Sequence, residues 1–156
     1  MDSFDSKIIY LLTNDARMRW ADLASQIGLS APATADRVNR LIDQGVIKGF
    51  RASIEPETVG CECTAFVAVS LDRPQHRTAF LELVNNKKEI QECHHIAGED
   101  DYLLKIRCRN TKDLDRVISH EIKGVEGVTR TKTTIVMDTT KESSELALQP
   151  HVFSEE

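Results

Sequence analysis

Apolar positions in the first third of the chain recur at helical spacing. Ile8, Ile9, Leu11 and Leu12 give one face to a first helix, opened by Asp2 or Asp5 and ended at Asn14-Asp15. An acid at that start suits the helix dipole. Leu23, Ala24 and Ile27 mark a second, shorter helix. Gly28 ends it by taking the left-handed backbone of a helix C-terminus. Ser30 is placed to cap a third helix, and Pro32 stands near its start, where a missing N–H costs nothing. Val38, Leu41 and Ile42 bury one face of this helix, Thr34, Arg37 and Arg40 fall on others, and Gly45 stops it. Two helices joined by a few residues around a glycine predict a helix-turn-helix, although a plain helical hairpin fits the same pattern. Trp20, the only tryptophan, is expected to anchor the first two helices.

Beyond Gly45, the residues Val46, Phe50 and Ile54 alternate as in a short strand leaving the helical module. Pro56 and Gly60 punctuate a linker. From residue 61 the period becomes two. Residues 64–71 (TAFVAVSL) read as a strand covered on both faces. Ala79, Phe80, Leu83 and Val84 mark a helix over about 75–86, and residues 90–97 a second strand. Gly98-Glu99-Asp100-Asp101 is a turn, and Tyr102 to Cys108 a third strand with Tyr102, Leu104, Ile106 and Cys108 on one face. Leu114, Val117, Ile118 and Ile122 mark a helix capped by Asn110 or Thr111, and residues 129–137 a threonine-rich fourth strand. The order β-α-β-β-α-β is the ferredoxin-like split motif, with both helices on one sheet face. The other face still carries apolar residues, so a second copy is expected to cover it and make a two-fold dimer.

The fold class is therefore α+β. A helix-turn-helix (winged-helix-like) domain spans 1–52, a linker strand or hinge 53–63, and a ferredoxin-like domain, expected to carry the dimer contact, 64–140. The tail, 141–156, has Leu146 and Leu148 as its only apolar pair and reads as mobile or as an assembly arm.

Composition and charge narrow the function. The net charge of −5 argues against a non-specific nucleic-acid coat. Residues 1–52 hold seven Lys+Arg against six Asp+Glu, whereas the remainder holds thirteen against nineteen, so only the helical third is not acidic. No apolar run approaches the ~20 residues of a membrane span, and MDSFDSK lacks the features of a signal peptide, so a cytoplasmic protein with no membrane partner is expected. Cys61, Cys63, Cys93 and Cys108 form no C-x-x-C pair. Cys61-x-Cys63 with His94-His95 fits no common zinc spacing, and buried reduced thiols are the expectation, with no metal and no other cofactor.

The residues together resemble the Lrp/AsnC family, the feast/famine transcription regulators of bacteria and archaea. In the N-terminal part the likeness rests on Met1-Asp2-x-x-Asp5, Asp22-Leu23-Ala24, Ile27-Gly28-Leu29-Ser30, Arg37-Val38-x-Arg40-Leu41 and Gly45-Val46-Ile47-x-Gly49-Phe50. In the C-terminal part it rests on Ile90-x-x-Cys93-His94, Gly98-x-x-Asp101-Tyr102-Leu103-Leu104 and Gly127-Val128. The resemblance implies a DNA-binding regulator that dimerises through the effector domain and assembles further, to tetramers or octamers. It implies an amino acid or related effector bound near the Gly-x-x-Asp turn, between dimers. Mapped here, that site comprises Gly98, Glu99, Asp100, Asp101 and Tyr102, with Leu104, His95 and Thr111, and with Thr133 or Thr134 from a neighbour. Glu99 stands where the family often has Asp, and His95 where branched-chain binders often have an aliphatic residue.

The chemistry of both sites can be read from the residues. A free amino acid needs a negative partner for its ammonium and donors for its carboxylate. Asp101, Asp100 or Glu99 can supply the first, and backbone N–H groups around Gly98 the second. On double-stranded DNA, a dimer would present two helices from Ser30 to Asp43 about 34 Å apart. Ala33 and Thr34 are expected at base edges and Arg37 and Arg40 at guanine or phosphate, with Lys48 and Arg51 on the backbone. For Arg37 the alternative is an ion pair with Asp22 or Asp5. Competing functions are a metabolite-sensing oligomer that acts through protein contacts, and a small enzyme. The enzyme is disfavoured by the lack of any nucleophile–base pair, and by adjacent His94 and His95 facing opposite sides of a strand.

Overall fold

The structure is a computed structural model that describes residues 1–147, so Leu148 of the tail lies outside the described residues. It divides into two compact units, Met1–Ser53 with the described tail from Glu142, and Ile54–Lys141.

Three helices make the first unit: α1 (Ser3–Asn14), α2 (Trp20–Ile27) and α3 (Ala31–Asp43). Both candidate openers of α1 act together. The Asp2 carboxylate accepts the Asp5 N–H at 2.9 Å, and the Asp5 carboxylate accepts the Asp2 N–H at 3.2 Å. This reciprocal cap satisfies two N–H groups that helix geometry leaves without partners. Gly28 takes φ +79° at the end of α2, and Ser30 Oγ accepts the Ala33 N–H at 3.3 Å to start α3. Ile8, Leu12, Leu23, Ile27, Val38 and Leu41, two from each helix, close the core. Trp20 is not part of it. It is 44% exposed at the first residue of α2, and Met18, two residues earlier, packs against the core instead.

The expected strand after Gly45 does not form: Val46 and Ile47 bend back, their N–H groups donating to the Leu41 carbonyl at 2.9 and 3.0 Å, and residues 48–55 have no strand pairing. Alternation alone is insufficient, because the described first unit is helical and offers no ladder to join. The linker strand over 53–63 is likewise absent. A single 3₁₀ turn, Glu57–Val59, ends at Gly60 with φ +77°.

The second unit is a four-stranded antiparallel sheet in the order β2-β3-β1-β4. Its strands are β1 (Cys63–Leu71), β2 (Ile90–His95), β3 (Tyr102–Cys108) and β4 (Val128–Ile135). A 3₁₀ turn, Pro74–His76, leads into α4 (Arg77–Asn86). The second crossover is α5 (Thr111–Arg116), capped by Asn110, and continues as a π-helical turn over Val117–Ile122. That wider turn puts Val117, Ile118 and Ile122 all inward. They join Leu114, Phe80 and Val84 over Cys63, Ala65, Val67, Val69, Leu104 and Ile106. Within one chain β1 is buried on one face, and the other face is the one a second copy is expected to cover. Thr64, Phe66, Ala68 and Ser70 face the other side, and Phe66 is 38% exposed.

Candidate functional site

On α3 the buried stripe is Thr34, Val38 and Leu41. Thr34 is fully buried, and its Oγ1 donates to the Ser30 carbonyl at 3.0 Å. The expectation that it meets a base edge is therefore corrected: a threonine hydroxyl one turn into a helix bonds back to the preceding turn. The Arg37 guanidinium donates to Asp2 at 2.7 Å and to Asp5 at 2.8 Å, and lies 5.2 Å from the Phe4 ring centre. Arg40 donates to both Asp5 oxygens, at 3.0 and 3.2 Å. Of the two acids expected to pair with Arg37, Asp5 does so and Asp22 does not, and Asp2 joins it. Burial opposes ionisation of Asp5, whose side chain is only 5% exposed, yet Arg37 and the Asp2 N–H outweigh it and hold the carboxyl below its ordinary range. Asp2 is lowered too, by the Asp5 N–H and then by Arg37.

The side of α3 opposite its buried stripe carries Pro32, Asp36, Asn39 and Asp43, flanked by Ala33 and Arg40. Asn39 went unnoticed in the sequence, yet it is exposed and its amide suits adenine. Its signal was the wheel itself, lying far from Thr34, Val38 and Leu41. Ser30, Lys48 and Arg51 are exposed.

In the second unit, the acids of the 98–101 turn are engaged in holding the turn. Asp100 Oδ1 accepts the Ser70 hydroxyl at 2.7 Å and Arg130 Nη2 at 2.8 Å, and these two bonds lower its carboxyl, Ser70 first. Asp101 Oδ2 accepts the Leu71 N–H at 2.7 Å, where the β1–β4 register shifts. Gly98 and Glu99 are exposed, and the Glu99 carbonyl accepts Arg130 at 3.2 Å. Of the three acids, Glu99 alone has an unengaged side chain.

Beside this turn, on the helix side of the sheet, a cleft of about 390 Å³ opens among Leu71, Asp72, Arg73, Pro74, Arg77, His95, Asp101 and Tyr102. His95 pairs in register with Tyr102 and so faces the helices, its ring 5.1 Å from the tyrosine ring. His94 faces the other side, with Nε2 3.1 Å from Glu92. Arg77 lies over the Tyr102 ring, 5.8 Å from its centre. Asp72 Oδ1 is 2.6 Å from His76 Nδ1, the main cause of its lowered carboxyl. The signal for the missed residues was the charge-rich run 71–77 (LDRPQHR) directly after a buried strand.

Two members expected from this chain, Leu104 and Thr111, lie elsewhere, and Thr133 and Thr134 were expected only from a neighbouring copy. Leu104 is fully buried in the core beneath the helices. Thr111 begins α5 beyond the far end of β3, and seven residues at about 3.3 Å each separate that end from the turn. Within one chain Thr133 and Thr134 sit on the β4 edge beside Val67 and Phe66, on opposite faces and away from the cleft. Among the described residues no three His, Cys, Asp or Glu side chains gather around a metal-sized site. Cys63 and Cys108 are buried register partners, and burial pushes the Cys108 thiol up to about 11.

Comparison with known proteins matches these two units. An AsnC-type helix-turn-helix domain is matched over residues 1–42, and an Lrp/AsnC ligand binding domain over 64–146. The chain is 38% identical over 145 residues to the proline dehydrogenase transcriptional activator of Rhizobium radiobacter, covering 92% of this chain and 93% of that one. It is 32% identical over 151 residues to the leucine-responsive regulatory protein of Escherichia coli K12, covering 96% and 92%. Among solved structures, the leucine response regulatory protein of Mycobacterium tuberculosis aligns with TM-score 0.84 at 31% identity, covering 91% and 96%. A transcriptional regulator in complex with L-Met from Neisseria meningitidis aligns with TM-score 0.82 at 25% identity, covering 94% and 96%.

Proposed function

The chain belongs to the Lrp/AsnC family of DNA-binding transcription regulators, and from that premise we propose that an amino acid or related small molecule, bound in the 71–77 cleft, sets how several copies hold double-stranded DNA. The observation that carries this reading is one chain joining an AsnC-type helix-turn-helix to an Lrp/AsnC ligand-binding domain. The names of the relatives refer to proline, leucine and methionine, so the class of effector is better supported than any member of it.

The DNA contacts proposed are Asn39, Ala33 and Arg40 from α3, with Ser30, Lys48 and Arg51 at phosphates. One copy supplies little positive charge, so tight binding needs several copies on neighbouring sites. The open sheet face with Phe66 and Leu103 is the proposed surface for pairing two copies, with further assembly beyond the dimer. No described helix is long and apolar enough to cross a membrane. A regulator of this kind works where the DNA is, in the cytoplasm, and without catalysis.

The test is footprinting on the chain's own upstream DNA at low salt, with and without each amino acid. Protection that changes with one amino acid supports the reading, and no protection at any concentration refutes it. A second reading is favoured by one observation, the engagement of Arg37 and Arg40 by Asp2 and Asp5. In it the protein senses a metabolite and acts through protein contacts. DNA affinity unchanged by Asn39→Ala and Lys48→Ala together would support this second reading.

A further inference from the structure

The cleft contains two guanidinium groups outside any described ion pair, although Arg73 lies near enough to Asp72 to help lower that carboxyl. Arg77 and Arg73 both line it, and neither forms an ion pair among the described residues. Elsewhere the arginines 37, 40, 109, 116 and 130 are paired with carboxylates. Arg77 is held from behind instead. Its guanidinium lies over the Tyr102 ring, which is itself wedged against Phe80 at 4.9 Å in the core. An arginine stacked on an aromatic ring keeps its N–H fork in plane and free, the geometry that grips a carboxylate with two parallel bonds. Asp101 also lines the cleft, with one oxygen accepting the Leu71 N–H. Leu71 and Pro74 supply the apolar wall.

The turn offers a poorer carboxylate site. Asp100 already neutralises Arg130, and Gly98 and Glu99 are exposed outside the cleft lining. Of the backbone N–H groups there, that of Asp101 is already taken by the Val69 carbonyl at 3.0 Å.

We propose that Arg77, rather than the backbone of the Gly98 turn, anchors the α-carboxylate of the effector. The ammonium then meets Asp101, and the side chain of the amino acid lies along Leu71 and Pro74. Arg73 reinforces the anchor from the preceding turn. This rests on the reading that the effector is an amino acid.

The test uses the full chain and each of the twenty L-amino acids, first by thermal shift and then by calorimetric titration. The amino acid that binds is compared with its own amide, which lacks the carboxylate charge. Wild type should prefer the free acid to the amide by tenfold or more. Arg77→Gln should bind the free acid at least tenfold more weakly, bind the amide as wild type does, and so lose the preference. Arg77→Lys should fall between. Unchanged circular dichroism and melting temperature without amino acid verify that Arg77→Gln folds. If Arg77→Gln keeps the preference, or weakens acid and amide equally, the carboxylate is held elsewhere and the proposal is overturned. If no amino acid stabilises the wild type, the effector reading fails and takes this one with it.

Discussion

Arg37 and Arg77 carry the same charge in two units that use it differently. Arg37, in the helical unit, donates to Asp2 and Asp5 and ties α3 to the start of α1. Arg77, in the sheet unit, has the Tyr102 ring behind it and forms no ion pair among the described residues, although Asp72 and Asp101 line the same cleft. A three-helix unit of some fifty residues has a small core, six fully or nearly buried apolar side chains, and small cores depend on additional ties. The sheet unit has a larger core and can leave a guanidinium unspent. Charge near α3 therefore serves the fold first, while charge in the cleft is available to a ligand.

Removing the tie tests the first half of this comparison. Asp5→Ala deletes half of the reciprocal cap and leaves Arg37 and Arg40 without their nearly buried partner. We expect a loss of about 2–3 kcal/mol from the helical unit, read by urea unfolding. A change below about 0.5 kcal/mol would break the comparison. Acid should act on the same tie. The carboxyls of Asp2 and Asp5 titrate lower folded than unfolded, so the native state binds fewer protons. Their stabilisation is complete above the unfolded carboxylate value of about 3.9 and fades as pH falls through the lower folded values. The melting temperature of Asp5→Ala should accordingly fall less between pH 5 and pH 3 than that of wild type.

In the sheet unit, backbone geometry beside the cleft should matter more than any one cleft charge. Gly127 has φ +90°, and a Cβ there would lie 2.2 Å from His76 Nδ1 and 2.5 Å from His76 Cβ. Gly127→Ala should cost about 1–3 kcal/mol, and the displaced His76 should disturb Asp72 in the cleft. Ser30→Ala removes the cap of α3 and should cost about 1 kcal/mol in thermal unfolding. Smallest is the expected stability effect of Arg77→Gln, within about 0.5 kcal/mol, because no protein carboxylate loses a partner. A larger loss would mean that Arg77 serves the fold as Arg37 does.

Much of the fold was legible because its signals are local. Gly28 and Ser30 mark the helix boundaries by backbone conformation and capping, and the alternation from Cys63 onward marks the strands. Residues 46–54 misled because a strand is a property of two segments, and alternation describes only one. Trp20 misled because size says nothing about whether a helix end reaches the core. The site was less legible. The 98–101 acids look free in sequence, yet Asp100 finds Ser70 and Arg130 thirty residues away in either direction, through pairing of β1 with β3 and β4. Thr34 looks like a reader until the back-bond to Ser30 is seen. Arg77 gave only the general signal of the charge-rich run 71–77, which does not tell a paired guanidinium from an unpaired one.

The most direct measurement is DNA affinity at fixed salt, titrated with the amino acid that binds, for wild type and Arg77→Gln. The amino acid should change the wild-type dissociation constant by about 5–150-fold, the usual range of coupling between sites. Arg77→Gln should hold DNA as tightly as unliganded wild type and show no change at the same amino-acid concentration. An equal change in both proteins, or none in a wild type that demonstrably binds the amino acid, would contradict the account.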